Sequence, residues 1–235
     1  MVAFYFIALS VSLVIIITLG FNMLLKKQNL PSEERLKQVW KIPLFLGVWL
    51  LYVFGISATG LLQSFDLPPK IPLFLVFPLM MFIVFFIRKY KNNALLKLLP
   101  ESWLLHFQVF RVLVELLIFE MYLKNIFPIA ATYEGYNYEI ILGASAPLVA
   151  YLVFKLKVLP KKVAIIWNFI GLTTLGIVIF IVISSAYFPQ FWGAKNSLIS
   201  SDFGLFPYTL LAGFLAPTAI FMHVLSLTQL MRKDT

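Results

Sequence analysis

The 235-residue chain contains no cysteine. That excludes disulfides, thiolate nucleophiles and cysteine-ligated zinc or iron–sulfur centres. Histidine is nearly absent too, with two copies, and charged residues make up 12% of the chain, against about 25% in a typical soluble domain. No catalytic, cofactor or metal motif of high specificity is present. What fills the chain instead is apolar: 61% of it is hydrophobic, with a mean hydropathy of +0.94. A soluble body of this size could not hide so much apolar surface, because compact proteins still expose a large share of their chain. A bilayer removes the difficulty, so the composition points to an integral membrane protein. The net charge of +9 sits in short clusters between apolar runs, which is a topology signal and not a nucleic-acid footprint.

Mostly apolar runs long enough to cross a hydrocarbon core of about 30 Å occur at 4–25, 42–63, 71–87, 103–123, 138–154, 163–188 and 203–231. The expected fold is therefore a single all-α transmembrane domain, a polytopic seven-helix bundle spanning 1–235. The first run has no basic residue ahead of it and no small-residue cleavage site, so it reads as a span and not as a removed signal peptide. Pro78, Pro147, Pro207 and Pro217 fall inside runs and should kink them or release carbonyls toward neighbours. Residues 92–99 read as a short amphipathic piece on the inner leaflet.

Lysine and arginine set the expected orientation. Lys26, Lys27, Arg35, Lys37 and Lys41 follow span 1, and Arg88, Lys89, Lys91 and Lys97 follow span 3. Lys155, Lys157, Lys161 and Lys162 follow span 5, while Arg232 and Lys233 end the chain. The opposite loops hold only Lys70, Lys124 and Lys195. The alternation predicts an N-terminus outside and a C-terminus in the cytoplasm, in a multi-pass protein of the cell membrane.

Span 4 carries unusual charges. Glu101, Gln108, Arg111, Glu115, Ile118 and Tyr122 recur at steps of three, four and seven and share one helical face. Arg111 and Glu115 are four apart and within reach of each other. A charged residue at the bilayer centre costs about 2.5–3.5 kcal/mol on insertion scales, so this face must point into the bundle or a wet cavity. In span 7, Thr209, Ala212, Ala216, Ala219, His223 and Ser226 form a stripe of small residues, the pattern that lets membrane helices approach closely. Span 6 offers Asn168 at similar depth, with Gly171 and Thr174 above it. Gln108, Arg111, Glu115, Asn168 and His223 are thus the candidate ligand-binding residues, and Asn137 and Glu139 a candidate entrance. His106 and Glu120 fall off the charged face and read as interfacial.

The stretch from Phe107 to Tyr151 resembles a family of uncharacterised bacterial seven-helix membrane proteins. The resemblance lies in Gln108-Val-Phe-Arg111, Val114-Glu115, the Glu134-Gly-Tyr-Asn-Tyr-Glu139 loop and Gly143-Ala-Ser-Ala-Pro147. It implies a shared seven-helix fold and no activity. Retinal proteins, PQ-loop transporters, alkaline ceramidases and G-protein-coupled receptors lack matching signatures here.

Four functions fit these residues. The first is small-solute transport, with Arg111 holding an anionic group and Glu115 as counter-charge or proton carrier; broken helices often line such sites. The second is a membrane sensor or assembly partner in which the ion pair is structural. An intramembrane lipid-modifying enzyme would use His223 as base and Arg111 on a phosphate. A haem protein would use His106 and His223 as axial ligands. No cofactor is expected; the partners expected are the bilayer and a small-molecule or lipid ligand.

Overall fold

The computed structural model describes residues 2–28, 30–192 and 199–232; the sequence-flagged Lys195 and Lys233 lie outside them. The described chain is all-α, without strands. Five of its helical stretches are long and apolar enough to cross a membrane: 2–26, 32–58, 72–90, 161–187 and 211–230. They comprise α1 (Val2–Lys26), α2 (Ser32–Val39) running on into α3 (Lys41–Ala58), α4 (Phe77–Tyr90) with a π-helical lead-in over Pro72–Val76, α9 (Lys161–Tyr187), and α10 (Ala216–Leu230) led by the π-helical Leu211–Leu215. The short α5 (Ala94–Leu98) begins where Asn93 accepts a side-chain bond from the Leu95 amide, at 2.8 Å.

The other two apolar runs do not form long continuous helices. The expected span over 103–123 is divided into α6 (Glu101–Phe107) and α7 (Phe110–Leu123). Between them the backbone overwinds: the amides of Gln108, Val109, Arg111 and Val112 each donate to the carbonyl three residues back, at 3.0–3.2 Å. The run expected over 138–154 becomes α8 (Glu139–Ala150) followed by a π-helical turn, Tyr151–Lys155. Run length alone registers neither the overwinding in the one nor the π turn that continues the other.

Two of the four prolines expected to release a carbonyl, Pro217 and Pro78, leave one that finds a side-chain partner on α3. Pro217 has no amide to give to the carbonyl four residues earlier, that of Gly213; the Trp49 indole donates to it at 2.6 Å. Pro78 leaves the Phe74 carbonyl in the same position, and the Tyr52 hydroxyl donates to that one at 3.2 Å. In lipid such a carbonyl has no water to turn to, so α3 serves as a polar strap across two broken helices.

The core is built around α10, which packs against α9, α6 and α4, while α7 packs against α8 and α1. The loops gather at two opposite ends. At one, the Lys27 ammonium donates to the Leu98 carbonyl at 3.3 Å, the Gln229 amide donates to the Leu99 carbonyl, and Lys161 pairs with Glu101 at 2.8 Å. At the other, the Ser200 amide donates to the Ile126 carbonyl at 3.1 Å and Phe65 stands edge-on to Tyr187. The first end carries the lysine-rich connections.

Candidate functional site

Among the described residues Arg111 is the largest side chain to be fully buried, at 2% exposure. A guanidinium so placed must be paired and hydrogen-bonded to be tolerated. Its partner is Glu139, at the start of α8. The expected pairing with Glu115, one turn along the same helix, is not the one that forms.

The reason lies in Gly143. A Cβ there would meet the Val112 amide at 2.9 Å and the Arg111 Cβ at 3.3 Å, so only glycine lets α8 approach α7 this closely. Glu139 lies one turn before Gly143 on the same face of α8. The close approach therefore carries its carboxylate to the guanidinium. Glu139, expected at an entrance, is instead a central member of the site.

The remaining bonds of Arg111 complete a buried network. Its Nη1 lies 2.7 Å from Nε2 of His223, and Nη2 donates a long 3.4 Å contact to the Thr174 hydroxyl, which itself donates to Glu139. His223 Nδ1 is 2.8 Å from the Asn168 side-chain oxygen. Because arginine can only donate, Nε2 is the accepting nitrogen and Nδ1 carries the proton, donated to Asn168. Asn168 in turn donates to the Ala164 carbonyl at 2.7 Å and to the Ser226 hydroxyl at 3.0 Å. A Cβ on Gly171 would overlap the His223 ring, so this glycine is what seats the imidazole against α9. Trp167 flanks the ring, with centroids 5.4 Å apart.

On the other side of Arg111, Asn137 joins the two carboxylates. Its amide donates to Glu115 at 2.8 Å and to the Ala131 carbonyl at 3.0 Å, while its oxygen accepts the Glu139 backbone amide at 3.0 Å. A continuous polar chain thus runs from Glu115 through Asn137, Glu139, Arg111, His223 and Asn168 to Ser226. Gln108 sits beside it, donating to the Ala219 carbonyl at 3.2 Å. The Gln108 side-chain oxygen and Arg111 Nε find no partner among the described residues.

Of the residues flagged from sequence, Arg111, Asn168 and His223 are brought into direct contact. Glu115 and Asn137 attach through Glu139, and Gln108 is adjacent on the Arg111 face. The small stripe turns inward: Thr209, Ala219, His223 and Ser226 are all buried. His106 is exposed, bonded only to the Ser102 carbonyl of its own helix at 2.7 Å, whereas both nitrogens of buried His223 are engaged. The two histidines therefore do not converge on a haem, and His223 has no free nitrogen for use as a base. Among the described residues no group of three or more His, Asp or Glu is arranged to hold a metal. Sequence reasoning missed Thr174 as the bridge between Arg111 and Glu139, and Gly143 as the reason they meet. The signal for the latter was available: a glycine one turn after an intramembrane acid.

A cavity of about 140 Å³ opens beside this network. Arg111, Glu115 and Glu139 form its polar wall, and the rest is aliphatic and aromatic, including Phe65, Val76, Phe110, Leu175, Val178 and Leu215. The site thus combines one cation, two carboxylates and a mostly apolar chamber. No protein-family model, curated protein or solved structure matches this chain.

Proposed function

We propose that the chain is a seven-crossing membrane protein that binds a small solute in the cavity beside Arg111 and moves it across the membrane in exchange for a proton held on Glu115. The seven crossings count α6–α7 and α8 with its π turn as broken spans. The gathering of the lysine-rich connections at one end supports placing that end, and the C-terminus, in the cytoplasm. The resemblance to bacterial seven-helix proteins agrees with this topology.

The observation that carries the functional reading is a charge count. Two buried carboxylates face one guanidinium, and the guanidinium is taken by Glu139. Glu115 is left with a neutral partner, Asn137. A bare carboxylate on an apolar wall is costly, so Glu115 must hold a proton or meet a cation. A group whose proton leaves when a ligand arrives is the coupling element a transporter needs, and intramembrane acids are used this way. Broken helices beside the cavity fit the same use. Arg111, with both terminal nitrogens engaged, acts as the fixed counter-charge of Glu139 and not as an anion clamp.

Proteoliposomes loaded with a pH-sensitive dye test this. Challenged in turn with amines, carboxylates and sugars, the wild type should move protons in response to one class. Glu115→Gln should reduce that flux at least tenfold. A folded wild type that stays silent to all three classes overturns the reading. The engagement of both terminal nitrogens of Arg111 favours the second reading, a sensor or assembly partner with a structural ion pair. Silence together with reduced heat stability of the Arg111→Gln variant would support it.

A further inference from the structure

We infer that the occupant of the cavity is a membrane-dissolved amine with an apolar body, whose ammonium group displaces the proton of Glu115. This rests on the binding half of the function proposed above and names its substrate class.

Charge fixes the head group. Of the groups around Glu115, Arg111 and Glu139 cancel, while its hydrogen-bond partner Asn137 is neutral. The wall therefore lacks one positive charge whenever Glu115 is ionised. An ammonium supplies it. A carboxylate or phosphate would add a third anion against a single guanidinium, and an uncharged head would leave the proton on Glu115.

The chamber fixes the body. A dry apolar cavity of about 150 Å³ is large enough for benzene, so the 140 Å³ here encloses one ring or a comparable short chain. Apart from its three charged residues and the Tyr187 hydroxyl, the lining side chains are apolar and offer little to hold a polyhydroxylated solute.

The surrounding helices fix the route. The cavity is lined on one side by Pro72 and Val76 and on the other by Val178, Ile179 and Ile183 of α9. Those two helical stretches do not pack extensively against each other. Ile183 lines the cavity and is yet 38% exposed, on a helix apolar enough to face lipid. The gap between α9 and the Pro72–Tyr90 stretch thus leads sideways into the hydrocarbon. An amine with an apolar body concentrates there, and a longer tail can remain outside in the bilayer.

The full chain in lipid nanodiscs, titrated calorimetrically, tests each part. Hexylamine should bind at least tenfold more tightly than hexanol or hexanoate. Repeating the titration in buffers of different ionisation heats should report about one proton released per hexylamine and none for hexanol. Glu115→Gln should erase the preference for the amine while hexanol still binds, and Val178→Trp should weaken all three probes. Dodecylamine should bind at least as well as hexylamine if the tail leaves through the gap; weaker binding on lengthening would overturn entry from the bilayer. Preference for hexanoate, or amine binding without proton release, would overturn the substrate class, and the proton measurement needs no variant to fold. Amine binding without any coupled flux would leave this inference standing and remove the transport reading. Flux driven by carboxylates would do the reverse.

Discussion

In the helical stretches 32–58 and 211–230 the 18-residue segments of highest hydropathy are nearly equal in mean hydropathy, 1.8 and 1.6, yet 6% of the first segment is buried within the protein and 67% of the second. Their residues explain the difference. Along α3, Leu44, Val48, Leu51 and Phe54 are all at least half exposed, and lipid is as good a neighbour for them as protein. The stretch leading into and through α10 has small residues instead, and its stripe of Thr209, Ala219, His223 and Ser226 is enclosed. In a bilayer apolarity decides that a segment inserts, and size and polarity decide which insert at the centre. Stability should therefore respond steeply to changes in the buried half and weakly to changes in α3.

The largest effect is expected at Arg111. Arg111→Leu leaves the Glu139 carboxylate buried without its cation, and breaking such a pair typically costs about 3–5 kcal/mol. Leu51→Ala, at a position 69% exposed on α3, should change stability by no more than about 0.5 kcal/mol, as surface changes usually do. The double variant Arg111→Met/Glu139→Leu should recover most of the loss, because it removes both charges. Reversible unfolding in mixed micelles measures all three. An Arg111→Leu loss as small as that of Leu51→Ala would erase the contrast between the two regions.

The same residues mark what the sequence could and could not convey. Helical spacing put Gln108, Arg111 and Glu115 on one face and His223 on an inward stripe, and the structure has each of them buried. Periodicity acts within one helix, so it offered Glu115 as the partner of Arg111 and had no means to offer Glu139, 28 residues on. That contact depends on how closely two helices approach, which Gly143 decides. The division of the expected fourth span escaped for a related reason. Residues 103–123 are apolar enough, despite their charges, to read as one run, and the overwinding at Gln108 is a backbone event with no proline or glycine to announce it.

Glycines sharpen the comparison at intermediate scale. A Cβ on Gly171 would overlap the His223 imidazole, whereas Gly176, on the same helix, and Gly55, on α3, have nothing within 4 Å of that position. Gly171→Ala should cost about 1–3 kcal/mol as an overpacked site. Gly176→Ala and Gly55→Ala should each stabilise their helices by about 0.5–1 kcal/mol, since alanine loses less backbone freedom than glycine. Thermal unfolding of the three variants checks the order. Equal effects at Gly171 and Gly176 would mean that His223 is not held where the buried network requires it.

The smallest effect tests where the two regions join. On α3 only Val53 and Ser57 are buried, but Trp49 reaches across to the Gly213 carbonyl that Pro217 leaves without its helical donor. Trp49→Phe keeps an aromatic but smaller ring and removes the indole N–H donor, and side-chain hydrogen bonds in membranes average about 0.6 kcal/mol with a maximum near 1.7. Pro217→Ala restores an amide that can serve the same carbonyl. In that background Trp49→Phe should cost only the packing lost with the smaller ring, and the difference between the two costs is the coupling energy of a double-mutant cycle. A coupling of zero would reduce α3 to lipid-facing cover. A positive one would make this mostly exposed helix a working part of the core, attached where proline breaks the backbone ladder and not through the apolar area that brings it into the membrane.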